Sequence, residues 1–333
     1  MGAYLNVECM FCMHIGFWRH EPVSDQSADG LTQATMRFFE TVGGDWVKLT
    51  PAGTYQATAL GLVDEWAGDS LGRRNIVRRT VNCHADWPTL TAHAHRTGLG
   101  HQEWVSVESV RRLKARLPAH TPLIATVFST LSQAIQLAGI DAVEAHARSQ
   151  PLAFADLLRA LGRRNQTLIQ ALTEAGADGI YYVSQHHQTQ LWQQEMSEWL
   201  EWSFDAGAMS TSPVRSWNVV HFHGRCDGMA LPPLPPGWSA HNECRESESR
   251  MATDGNTTHS IRWLTLSTET LSDIPDTSQY LRDWIVHQKH AENTHWRISA
   301  ECVLPLNFDL QLAKKWVQAV HQWRCDPNQK EIS

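Results

Sequence analysis

Residues 123–137 read L-I-A-T-V-F-S-T-L-S-Q-A-I-Q-L. An unbroken apolar and β-branched run, Leu123 to Phe128, gives way after Ser129-Thr130 to Leu131, Ile135 and Leu137 at helical spacing. A run of that length without alternation predicts a strand buried on both faces, passing straight into a helix. Residues 152–185 repeat the theme. A helical pattern from Leu152 to Ala175 is stopped by Gly176, and D-G-I-Y-Y-V-S-Q (178–185) is the next strand.

The same rhythm extends in both directions. Toward the N-terminus, Val7 to Trp18 reads as a strand, residues 28–41 as a helix stopped by Gly43-Gly44, residues 45–50 as a strand, and Val105 to Leu117 as a helix. Toward the C-terminus come a Trp-rich amphipathic helix (Leu191 to Phe204), strands ending near Phe222, at Trp238 to Asn242, Ile261 to Leu266 and Trp296 to Leu304, and helices over 280–290 and 310–323. Residues 67–100 and 243–258 read as surface excursions, the first with a possible strand near Ile76 to Val81. Strands and helices thus alternate about eight times, which predicts parallel strands, right-handed crossovers and an α/β fold of the closed (β/α)8 TIM-barrel type, with a doubly wound open sheet as the alternative. One domain over residues 1–333 accommodates all of it. No glycine-rich dinucleotide or phosphate loop follows any strand.

Composition narrows the partners. A net charge of −7 and a pI near 6.2 give no general attraction to nucleic acid or an anionic membrane. The arginines at 73, 74, 78 and 79 and the basic run Arg111, Arg112, Lys114 and Arg116 are expected on solvated faces. Seven scattered cysteines, no secretory leader and no long apolar run predict a reduced, cytoplasmic protein. Cys9 and Cys12 form a C-x-x-C inside a strand-like run, where core packing is the expected role.

The chemistry concentrates at residues 216–228, S-W-N-V-V-H-F-H-G-R-C-D-G. On a strand, His221 and His223 project from one face. Such a pair is half of a transition-metal site, a hydrogen-bonding grip on a polar substrate, or two satisfied core histidines. Barrel active sites lie at the C-terminal ends of the strands. The polar residues predicted there are Arg19, His20, Lys48, Thr50, Ser129, Ser184, Gln185, His186, His187, His221, His223, His241, Asn242, Glu301 and Cys302. Tyr181 or Tyr182 could donate to a substrate oxygen, the other packing in the core. Arg19, His20, Lys48, Tyr182 and Glu301 are the candidates for catalysis, with Thr50, Ser129, Ser184, Gln185, His241 and Asn242 for substrate binding. Cys226 is an alternative metal ligand beside His223.

Several phrases occur together and in order: G-F-W-R-H (16–20), G-D-W-V-K-L-T-P-A-G (44–53), T-V-F-S-T-L (126–131), E-A-G-A-D-G-I-Y-Y-V-S-Q (174–185), V-V-H-F-H-G (219–224) and I-S-A-E-C-V-L-P (298–305). In these the chain resembles the uroporphyrinogen decarboxylase superfamily, which includes zinc-dependent, corrinoid-linked methyltransferases. That resemblance implies a (β/α)8 barrel. It also implies a zinc site made by His221, His223 and Cys302, where the methyltransferase branch carries H-x-C and a second Cys. The arginine-rich segment with which the decarboxylases grip substrate carboxylates is reduced to Arg19 and His20, which argues against uroporphyrinogen as substrate.

Three functions follow as expectations. The first is a barrel enzyme using zinc for methyl or related group transfer to a small thiol or polar substrate, with a corrinoid or another methyl donor. The second is a metal-free carboxy-lyase with Arg19, His20 and Lys48 holding the anion. The third is a non-catalytic barrel that binds a tetrapyrrole or a corrinoid protein. A homodimer is compatible with each.

Overall fold

The computed structural model describes residues 12–186, 204–213, 215, 217–224, 234–243, 260–287 and 294–325. Within them, eight strands run parallel in two sheets. One sheet has the order β1 (Cys12–Ile15), β10 (Thr294–Ala300), β9 (Ser260–Leu266). The other runs β2 (Val47–Leu49), β5 (Leu123–Phe128), β6 (Gly179–Ser184), β7 (Asn218–Phe222), β8 (Trp238–Asn242). Strands β5 to β8 are buried at every position, as uninterrupted apolar runs require when helices cover the outer face.

The helices start and stop where the chain chemistry says they should. Helix α1 (Ala28–Val42) begins at Ser27, whose hydroxyl accepts from the Gly30 amide at 3.1 Å. It ends at Gly43, whose φ of 79° is a conformation that glycine adopts without steric cost. The expected helix over 152–175 is observed as Pro151–Glu174, with proline at its first position. Helices at Thr277–His287 and Leu310–Cys325 match the C-terminal expectations within a few residues.

The expected α/β architecture with parallel strands is therefore present. The hydrogen-bonded ladders do not draw a closed barrel: among the described residues no ladder joins β8 to β9, or β1 to β2. Other bonds cross both seams. Trp263 Nε1 donates to Ser239 Oγ at 3.1 Å between β9 and β8. The Asp45 amide donates to the Ile15 carbonyl at 2.8 Å, and the Ile15 amide donates to Asp45 Oδ2 at 2.9 Å.

Residues 67–100 hold more structure than the one strand expected near Ile76 to Val81. They carry the second strand of an antiparallel hairpin, β3 (Val63–Glu65) with β4 (Asn75–Arg78), and a helix at Asp86–Arg96. That helix packs Trp87 and Leu90 against Phe154 and Leu158 in one apolar cluster. The Gly- and Arg-rich composition hid it, since its apolar face is only three residues wide: Trp87, Leu90 and Ala94. The Trp-rich segment 191–203, Cys9, His187, Cys226 and nearly all of 243–258 lie outside the described residues. No described helix is long and apolar enough to cross a membrane.

Candidate metal centre

Strand alternation brings His221 and His223 to one face at the end of β7. Parallel register sets His221 of β7 beside His241 of β8. Two residues further along the same face comes Glu243, beside His223. From β10 the chain passes Ala300 and turns, carrying Cys302 to the same place. The ligand atoms of His221, His223, Glu243 and Cys302 all lie within 4.8 Å of one another. Glu243 Oε1 is 2.5 Å from His223 Nδ1 and 3.3 Å from His221 Nε2, and Cys302 Sγ is 3.7 Å from His223 Nδ1.

These four groups perturb one another. Burial pushes the Glu243 carboxyl up, but the two imidazoles outweigh it and hold the group well below the usual carboxylate range. Cys302 and Glu243 together raise His223 to about 10. Burial likewise opposes ionisation of Cys302, and His221 and His223 overcome it to bring the thiol down to about 7. Such mutual shifts belong to a functional cluster more often than to a packing core. Glu243 Oε1 is buried, and among the described residues its close contacts are the two imidazoles. Two imidazoles, a carboxylate and a thiol around such an oxygen fit a transition-metal ion.

The cluster opens into a cavity of about 260 Å³ at the C-terminal ends of the strands. Trp18, Phe128 and Tyr181 form apolar walls, and Lys48 lines the cavity with them. The Lys48 ammonium sits 4.5 Å from the Tyr181 ring centre and 5.2 Å from that of Trp18. Burial brings it down to about 7. The roof comes from the hairpin: Leu71, Arg73, Arg74 and Ile76 border the cavity. The arginines at 73 and 74 are thus not purely solvated.

The other predicted site residues divide. His20, Thr50 and Gln185 line the cavity with Lys48, and burial holds His20 down at about 4, hence neutral. His241 is fully buried behind the cluster, its Nδ1 2.7 Å from His221 Nδ1 and 3.0 Å from the Tyr181 hydroxyl. The tyrosine facing the site is Tyr181, not Tyr182. Tyr182 points to the other side of the sheet, where its hydroxyl donates to Asp205 at 2.6 Å and accepts from Asn165 at 2.9 Å. Arg19 also turns away, pairing with Glu21 at 2.8 Å and donating to the Leu306 carbonyl. Ser129 is spent on capping helix α5 (Thr130–Ala138), where its hydroxyl accepts from the Ser132 amide. Ser184, Asn242 and Glu301 do not border the cavity. His186 is next to it in sequence but is not one of the four clustered donors.

Glu243 is the donor that sequence reasoning missed. It was assigned to the polar stretch 243–258, although the period-two argument that pairs His221 with His223 also pairs His241 with Glu243.

No protein-family profile matches the sequence, and no curated protein is similar to it. Solved structures do share its fold. A methyltransferase from Methanosarcina mazei superposes with a TM-score of 0.66 at 12% identity, covering 91% of this chain and 88% of that one. A B12-independent methionine synthase from Shewanella sp. W3-18-1 gives 0.51 at 12% identity over 89% and 88%. A putative vitamin-B12-independent methionine synthase from Listeria monocytogenes gives 0.52 at 12% identity over 93% and 96%. At that identity the likeness is one of fold: this chain is built as those enzymes are, over nearly its whole length.

Proposed function

We propose that this chain is a zinc-dependent methyltransferase, a single (β/α)8 barrel that moves a methyl group onto a small thiol. The observation that carries the reading is the convergence of His221, His223, Glu243 and Cys302 at the cavity. With Glu243 and Cys302 ionised, the set supplies two negative charges and matches a divalent ion. Zinc held there would keep a thiol sulfur as thiolate at neutral pH. Three protein donors suffice to hold such an ion and leave a place for the substrate.

The chain's own residues do the rest. Trp18, Phe128 and Tyr181 exclude water from the sulfur, which strengthens every charge interaction inside. Lys48, which lines the same cavity, binds a polar group of the substrate. The names of the fold neighbours, a methyltransferase and two methionine synthases, agree with methyl transfer. A corrinoid, or a protein carrying one, is the donor that the sequence resemblance favours.

The lyase reading required Arg19, His20 and Lys48 to grip an anion together. Arg19 is turned to Glu21, and His20 is neutral, so no observation favours that reading.

Elemental analysis of the purified chain, followed by incubation with methylcobalamin and small thiols, tests the proposal. About one zinc per chain and thioether formation are expected. Protein that carries no zinc and takes up none when it is added overturns the reading. Binding of a porphyrin or corrinoid without turnover would favour a non-catalytic role.

A further inference from the structure

The buried histidine behind the cluster has a direction built into it. His221 faces the donors through Nε2 and presents Nδ1 to His241 Nδ1 at 2.7 Å. His241 Nε2 lies 2.9 Å from Ser299 Oγ, and that hydroxyl is 3.0 Å from the Ala300 carbonyl, to which it donates. His241 and Ser299 are both completely buried.

We infer that His241 is a positioning residue that fixes the ring and tautomer of His221 for metal binding, and that Ser299 fixes His241 in turn. This rests on the zinc reading above. A metal on Nε2 leaves His221 Nδ1 carrying its hydrogen, so His241 Nδ1 must accept it. The His241 proton then sits on Nε2 and goes to Ser299, whose own hydrogen goes to the Ala300 carbonyl. Each donor of the series finds an acceptor, the Tyr181 hydroxyl at 3.0 Å shares the His241 Nδ1 lone pair, and the series ends on a backbone oxygen that has no proton to return. The reverse order would put a hydrogen on His221 Nε2, pointing at the cluster. It would also take the Ser299 hydrogen away from Ala300. Side-chain partners of this kind set the tautomer of metal-binding histidines and their basicity.

Placement supports the assignment over a substrate-binding role. His241 is fully buried and does not border the cavity, with Trp18 5.8 Å and Trp263 4.8 Å from its ring centre. No substrate in the cavity can reach it without moving His221 or Tyr181.

The test is zinc affinity, read by competition with a chromophoric chelator, together with the visible spectrum of the cobalt-substituted protein. His241→Phe keeps an aromatic ring in the space and removes the acceptor; zinc should bind roughly 10–100-fold more weakly, with a changed cobalt spectrum. In case that variant does not fold, Ser299→Ala and Ser299→Thr form a second pair. Alanine should weaken zinc binding by about tenfold and threonine, which keeps the hydroxyl, should restore it. Folded variants that bind zinc as the parent does, with an unchanged cobalt spectrum, overturn the inference while leaving the zinc site intact. A parent chain that binds no zinc instead overturns the proposed function.

Discussion

Tyr181 and Tyr182 are neighbours on one strand, and between them they separate two kinds of buried polar chemistry. Behind the sheet, Tyr182 joins Asp205, Asn165, Gln133 and Gln56. Gln56 donates to Asn165 Oδ1 at 2.8 Å and accepts from the Phe128 amide at 2.6 Å, while Asn165 donates to the Phe128 carbonyl at 3.0 Å. Asp205 accepts from Tyr182 and from the Thr130 amide. This network is built mainly from amides and hydroxyls, and nearly every group has an aligned partner. In front of the sheet, Tyr181 faces imidazoles, a carboxylate and a thiol that drive one another's ionisation apart. There the groups are ionisable and crowded. A network of amides and hydroxyls holds helices to strands, whereas a set of ionisable donors at a cavity is ready for a ligand.

That contrast can be broken from either side. The largest effect is expected in front. His223→Ala and Glu243→Ala should lower bound zinc by more than about tenfold, as elemental analysis would report. Metal retained by both variants would mean that the front cluster is as structural as the back one.

Behind the sheet the pattern should invert. Asn165→Ala strips partners from Gln56, Gln133, Tyr182 and the Phe128 carbonyl at once and should cost about 3 kcal/mol, with zinc stoichiometry unchanged. Denaturant unfolding measures it.

Asp205 sharpens the comparison through pH. Burial raises its carboxyl to about 6, from an ordinary value of 3.8. Between those values the folded chain holds a proton that the unfolded chain has lost, so this group makes stability fall as pH rises from about 4 to about 6. Asp205→Asn should flatten that slope, by up to about 3 kcal/mol across the window. An unchanged slope would show that the carboxyl is already ionised in the fold.

The smallest effect separates the two tyrosines. Tyr182→Phe leaves Asp205 short of a donor and should cost about 1–2 kcal/mol. Tyr181→Phe should cost under about 0.5 kcal/mol, because His241 Nδ1 keeps His221 as its partner. Equal losses would erase the distinction between front and back.

Much of the molecule was legible beforehand, and the reasons are local. Leu123 to Phe128 is a strand to the residue, since a continuous six-residue apolar and β-branched run is too short for a helix and is closed by Ser129-Thr130. Period two paired His221 with His223. Which face of β6 looks into the cavity was not legible, because both of its faces are buried and Tyr181-Tyr182 carries no alternation of its own. Arg19 was misjudged for a different reason: Glu21, two residues on, captures it locally, and a rule about strand ends does not see such a neighbour. The helix at Asp86–Arg96 was lost in a stretch rich in polar residues, where three buried side chains on one face are too few to register as a period.

One contact at the roof has a consequence for what the cavity admits. Gly72, in the hairpin turn, has a φ of 75°, and a side chain there would come within 2.6 Å of His20 Cβ. The turn therefore rests on the first strand's exit with no spare room, and it is joined to the wall rather than suspended over it. Changes in loop length on the free side of that anchor, toward Trp66, would alter the size of the doorway without disturbing the donors underneath. In this architecture the choice of guest and the chemistry done to it can diverge separately.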